Sequence, residues 1–413
     1  MTDAPLQSPA PADETRWTVV LLAVSAGIVV AFQIGKLPSA IPALQSALSL
    51  SLVEAGWVLS LVYAVAAAIG AVTGVYADRW GVRRMALVGL MATGAGTLIG
   101  GLSDGLTMLL ASRLLEGLGA VTVLVTSPAL ILRATTPRHL GLAMGFWGTF
   151  MPTGIAIMIL LTPPLLSLGG WRGLWIANAA LVWLFAAGFW WGTRKTPDGV
   201  SIARGIPSPW AELAAVLRRA GPWLLALLFS IYAAAFLPIT AFLPKYLIET
   251  YQYDPGNAAI FVAIIIWANA AGNLTGGWLG HRGAPRWLLI GIALLTMGVT
   301  GWLTYADGFG VVARLVFALT FSYVGGLLPA SVFGSVTRHA PDRSRIAGMN
   351  GLILQGTNVG QLASPPLFAL LVAMGGWAQG PWLTVVLCAA GILFAVLLRR
   401  VEHRRCTAAE MTD

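Results

Sequence analysis

The chain has 413 residues, 57% of them hydrophobic and only 10% charged, with a mean hydropathy of +0.80. Soluble chains carry about 25% charged residues, so the polar side chains here are too few to cover a water-facing surface, and the soluble globular class is excluded. The formal net charge of +9 does not mark a nucleic-acid surface, because the charges fall in short segments between apolar runs.

In chain order, residues 1–15 are a polar tail with three prolines, acidic where a signal peptide would be basic, so the first apolar run is expected to remain as a membrane helix. A spanning helix needs about 20 apolar residues. Twelve such runs lie at 17–46, 51–77, 85–103, 106–131, 139–167, 171–193, 221–249, 256–280, 286–305, 308–335, 345–374 and 379–398. The fifth and eleventh contain prolines that are expected to bend them or end them early.

Lys and Arg set the orientation. With the N-terminus cytoplasmic, the inner segments hold Arg16; Arg79, Arg83 and Arg84; Arg133 and Arg138; Arg194, Lys195, Arg204, Arg218 and Arg219; Arg282 and Arg286; Arg338, Arg343 and Arg345; and Arg399, Arg400, Arg404 and Arg405. These are 20 of the 25 basic residues, while the outer loops receive Arg172 and Lys245. The positive-inside rule therefore places both termini in the cytoplasm.

The longest polar interruption divides the chain. The expected organisation is a cytoplasmic tail at 1–15, a six-helix half at 16–193, a cytoplasmic linker at 194–220, a second six-helix half at 221–398 and a tail at 399–413. Within the linker, Trp210 to Arg219 reads as a short amphipathic helix on the inner leaflet. The halves repeat: Gly70, Thr73, Gly74, Gly81, Arg84 and Gly89 recur as Gly272, Thr275, Gly276, Gly283, Arg286 and Gly291, and Arg113 recurs as Arg314. Such a repeat implies two similar bundles with a pathway between them.

The segment Gly74-Val-Tyr-Ala-Asp78-Arg79-Trp-Gly81-Val82-Arg83-Arg84 resembles the loop signature of the major facilitator superfamily, with Val82 where that family usually has Arg. Arg113-Leu-Leu-Glu116-Gly117-Leu-Gly119 is similar to its buried-arginine motif, and Gly148-Thr-Phe-Met-Pro152-Thr-Gly154 to its glycine-proline motif. Helices 1, 4 and 5 more weakly resemble the bacterial cyanate and nitroimidazole-type permeases. The resemblance implies an all-α membrane fold of twelve helices in two pseudo-symmetric bundles, a monomer working by alternating access. It also implies a conformational latch formed by Gly74, Asp78, Arg79, Gly81, Arg83 and Arg84.

An ionised group inside the membrane costs roughly 2.5–3.5 kcal/mol on insertion scales, so each one demands a reason. Lys36 shares a face of the first run with Gln33 and has no carboxylate on its own helix, so it reads as the counter-ion of an anionic substrate or as a snorkelling lysine. Arg113 and Glu116 stand at i, i+3 and read as a structural pair, or as a substrate contact and a proton-coupling group. Arg314 has no acid nearby in sequence. On the eleventh run Asn350, Thr357, Asn358 and Gln361 share an arc, as do Asn269 and Asn273 on the eighth, with Tyr232 and Trp267 as walls. Asp104 and Asp307 are expected to cap the helices that follow them.

No phosphate-binding loop, metal-ligand cluster or catalytic triad appears, so neither an enzyme nor a cofactor is expected. Lys36, Arg113 and Arg314 against Glu116 leave two positive charges in the expected cavity. The reading is a secondary transporter of a small, organic-acid-like anion in a bacterial inner membrane, coupled to protons or working by exchange. The alternative is a proton-coupled exporter of lipophilic compounds that uses Glu116.

Overall fold

A computed structural model describes residues 14–196, 220–339 and 346–410, apart from the side chains of residues 71–72, 74–79, 337–339, 346–348 and 401–410. The described residues form helices throughout: α1 Trp17–Leu48, α2 Leu52–Ser60, α3 Val62–Trp80, α4 Val82–Gly101, α5 Leu106–Ala134, α6 Leu140–Gly148 and α7 Phe150–Thr193. After the linker come α8 Ala220–Tyr251, α9 Pro255–His281, α10 Arg286–Tyr305, α11 Val311–Gly325, α12 Leu327–His339, α13 Ile346–Gly375 and α14 Trp382–Glu410.

Eleven stretches are long and apolar enough to cross a membrane. One of them, Leu140–Thr193, has 54 residues. As one straight helix it would be about 80 Å long, against a bilayer core of about 30 Å. It is broken at Gly170, whose φ of 61° and ψ of −170° are non-helical and lie where a side chain is disfavoured.

Local signals set several helix ends. Ser51 and Glu54 form a capping box at the start of α2, the Ser51 amide donating to Glu54 Oε2 at 2.7 Å. Asp254 caps α9 with Pro255 at its first position. The capping expected of Asp104 and Asp307 is not found: α5 and α11 are preceded by Gly105 and Gly310, with no side-chain cap. Asp104 is instead drawn to Arg172 Nη2, at 2.9 Å. The prolines at 163, 164, 365 and 366 do not end their helices, since α7 and α13 continue through them. Lys245 lies within α8, not in a loop, and is paired with Glu249.

The internal repeat is written into the backbone. Gly81 before α4 and Gly283 before α10 have φ of 94° and 90°, and Ser49 and Gln252 have φ of 53° and 54°. In the first half α1 packs on α5 and α7, and α4 on the same two helices. In the second, α8 packs on α13 and α14, and α9 on α11 and α12. Across the halves α13 meets α2 and α3, α9 meets α7, and α1 meets α8. The α1–α7 contact is close enough to require glycine: a Cβ on Gly154 would lie 2.5 Å from the Ile28 carbonyl oxygen, and one on Gly35 2.6 Å from that of Ile155.

Candidate functional site

The close packing of α1 with α5 and α7 gathers a polar cluster in the first half. Lys36 Nζ donates to Gln33 Oε1 at 2.7 Å and to Glu116 Oε1 at 2.8 Å, and stands 4.6 Å above the Trp175 ring. The other carboxylate oxygen of Glu116 accepts from Arg113 Nη1, and Arg113 Nε donates to the Val58 carbonyl at 3.0 Å. Gln33 Nε2 donates to Asn178 Oδ1 at 3.2 Å. Thr97 Oγ1 lies 2.8 Å from Gln33 Oε1 and 2.8 Å from the Thr93 carbonyl, so its one proton serves one of them at a time.

Gln33, Lys36, Arg113, Glu116 and Trp175 are all 0% exposed. Small residues on α4 make the room. A Cβ on Gly96 would lie 2.7 Å from the Glu116 amide nitrogen, and one on Gly100 2.8 Å from the Trp175 indole nitrogen. Larger residues there would push α4 away from α5 and α7 and open the cluster.

Lys36 is therefore not unpaired, as its own helix led one to expect. Its partner is Glu116, 80 residues away on α5. The pairing follows from burial: a sealed ammonium needs acceptors, and Gln33 with Glu116 supplies them. The charge count also changes. Two cations face one carboxylate here, and Arg314 is not among them, so the formal excess is one positive charge.

Three donors of the cluster are buried without a partner among the described residues: Arg113 Nη2, Asn178 Nδ2 and Trp175 Nε1. All lack acceptors, so the site as a whole is short of negative charge and lone pairs. Thr97, Trp175 and Asn178 are missed by the sequence reading. Trp175 and Asn178 stand at i, i+3 in an apolar run, and an amide there is a legible signal for an inward-facing role.

The predicted residues of the second half do not join this cluster. Arg314, also buried, donates from Nε to the Phe309 carbonyl at 3.0 Å and from Nη1 to that of Thr304 at 3.1 Å, and lies 5.6 Å from the rings of Tyr246 and Tyr251. It ties the end of α10 to the start of α11. Tyr232 donates to Asn269 Oδ1 at 3.0 Å, and Asn269 Nδ2 donates to the Ser322 carbonyl at 2.9 Å, which joins α8, α9 and α11. Asn273 is exposed, Gln361 half-buried, and Asn358 donates to the Leu354 carbonyl of its own helix, at 2.9 Å. Trp267 is half exposed. Beside them runs an aromatic column: Tyr232 stacks on Phe229 and Phe236, and Phe236 on Phe321.

Of the expected latch, Gly74 lies within α3, while the side chains of Asp78 and Arg79 lie outside the described residues, as does the expected linker helix Trp210 to Arg219. Gly81 supplies the turn between α3 and α4. Arg83 donates to Thr193 Oγ1 at 3.0 Å and to the Trp190 carbonyl at 3.3 Å, at the end of α7. Arg84 is engaged as well.

The profile of the Major Facilitator Superfamily matches residues 23–348 and 259–410. The chain is 25% identical over 242 residues to a probable nitrate/nitrite antiporter of Thermus thermophilus, covering 54% of this chain and 53% of that protein, so this match spans about half of the relative's length. It is 29% identical over 361 residues to monocarboxylate transporter 11 of Mus musculus, covering 80% and 75%. A probable sulfoacetate transporter of Cupriavidus necator is 24% identical over 382 residues, covering 83% and 84%. Among solved structures, a bacterial homologue of the human lysosomal transporter Spinster superposes with a TM-score of 0.80 at 18% identity, over 94% of this chain and 97% of that one.

Proposed function

The chain belongs to the Major Facilitator Superfamily, and from that premise we propose that it is a secondary transporter carrying a small anion by alternating access between its halves. The observation that carries this reading is Arg113 Nη2, sealed from solvent and without an acceptor, beside a Lys36–Glu116 pair that leaves one positive charge over. An anion meeting Arg113 would satisfy both the charge and the donor. The named substrates of the three relatives, all anions, support the same class.

In this reading the roles shift within the first half. Arg113 faces the anion, Lys36 holds Glu116, and Gln33, Thr97 and Asn178 orient Lys36. The 54-residue stretch broken at Gly170 counts as two crossings, which makes twelve with both termini cytoplasmic. Tyr232, Asn269, Asn273, Arg314, Asn358 and Gln361 belong to the second half's wall and frame. The segment from Gly74 to Arg84 acts as the cytoplasmic latch, and a monomer in a bacterial inner membrane is the working unit. The exporter alternative has less support, because Glu116 is held through both oxygens and a proton-carrying role requires breaking both contacts.

The test is counterflow in proteoliposomes loaded with unlabelled nitrate or lactate. Saturable uphill uptake of the labelled anion, lost in Lys36→Gln and Arg113→Gln, is the expected result. Absence of counterflow with every anion, alongside exchange of a lipophilic cation, would overturn the reading.

A further inference from the structure

We infer that Glu116 sets the valence of the transported anion, cancelling one of two buried cations so that the site matches a single negative charge. The inference rests on the anion-transport reading above and deepens it. Its basis is a count of charges and of bonds at one place. Lys36 has its acceptors in Gln33 and Glu116 and an aromatic face in Trp175. Arg113 spends Nη1 on Glu116 and Nε on the Val58 carbonyl, and keeps Nη2 unspent.

The cluster is 0% exposed at each of its three charged members, so water does not dilute the count. A partner bearing one negative charge brings the buried set to neutrality. A partner bearing two would leave a net negative charge in the same enclosure, where the unspent donors besides Arg113 Nη2, those of Asn178 and Trp175, carry no charge. Burying an uncompensated charge is unfavourable whichever sign it has. Among the described residues no other cation stands in this cluster to receive a second anionic group, since Arg314 is committed to carbonyls in the second half. The chemical class is thus a small monoanion, such as a monocarboxylate or an inorganic oxyanion of charge one.

Glu116 is in this account a specificity-determining residue, and its removal changes what is carried as well as how fast. The experiment compares lactate with malonate, a mono- and a dicarboxylate on three carbons, and nitrate with sulfate, by counterflow in proteoliposomes. The full-length wild type exchanges the monoanion of each pair about tenfold faster. Glu116→Gln raises the formal excess to two, and the dianion-to-monoanion rate ratio rises about tenfold or inverts. Lys36→Gln brings the excess to zero and loses both anions. The double variant K36Q/E116Q returns the excess to one on Arg113 alone and regains the monoanion preference, which simple loss of a structural pair would not restore.

The wild-type comparison needs no substitution, so equal rates for lactate and malonate overturn the inference directly. An unchanged ratio in Glu116→Gln does the same. Should that variant fail to fold, the double variant decides: a folded K36Q/E116Q protein that still moves no monoanion refutes the charge count. If the wild type moves no anion of either valence, the transport reading itself fails, a result distinct from a wrong valence.

Discussion

Arg113 and Arg314 occupy equivalent positions in the two halves, and they do opposite things. Arg113 lies at the third turn of α5 and reaches sideways to Glu116 and to the Val58 carbonyl of α2. Arg314 lies in the first turn of α11 and folds back onto the carbonyls of Phe309 and Thr304. Where the first half has Glu116 three residues on, the second has Phe317, packed edge-on to Phe309. Trp175 lies against an ammonium, whereas Trp377 stacks on Tyr305. A repeat thus conserves helix geometry, down to the matching φ of Gly81 and Gly283, while a few side chains turn one half into a charged core and the other into an aromatic frame.

The largest effect that sharpens this contrast is expected at Glu116. Glu116→Ala leaves two buried cations without a carboxylate and should cost about 3–5 kcal/mol, read as a lower melting temperature of the purified protein. Arg314→Ala removes the donor to two carbonyls and should cost about 1–3 kcal/mol. Its monoanion-to-dianion transport ratio stays that of the wild type; a changed ratio would break the division of labour between the halves. Tyr232→Phe removes one neutral hydrogen bond to Asn269 and should cost about 1 kcal/mol in the same melting assay, with transport retained. Smallest of all, Asp104→Asn alters an ion pair whose carboxylate side chain is 95% exposed, and its melting curve should overlay the wild type's.

Much of the scaffold was legible because membrane helices advertise themselves locally. The run at 286–305 coincides with α10, and that at 17–46 lies within α1, since both depend only on continuous apolarity and flanking charge. The runs at 51–77 and 308–335 each stay one apolar stretch as well, since Leu61 and Gly326, where α2 gives way to α3 and α11 to α12, keep right-handed helical dihedrals. Prolines, by contrast, misled. Pro365 and Pro366 lie within α13, where the neighbouring helices hold the chain in place.

The candidate site divides along the same line. That Lys36, Arg113 and Glu116 needed partners could be read from the cost of charge in lipid. Which partners they took could not, since Lys36 and Glu116 are 80 residues apart and no short-range pattern links them. Asn178 and Trp175 were readable in principle as polar atoms in an apolar run, and Gly96 and Gly100 acquire meaning only once their neighbours are known.

The amino-acid sequence by itself determined the membrane class, the helix runs, the orientation expected from its arginines and the twofold repeat. These depend on transfer free energies and periodicities that act residue by residue. Tertiary structure alone decided that Lys36 belongs to Glu116, that Arg113 keeps a donor unspent and that Arg314 stands apart from both. Those outcomes depend on how closely α1, α4, α5 and α7 approach, and in a sealed low-dielectric interior a shift of a few ångströms decides which charge answers which.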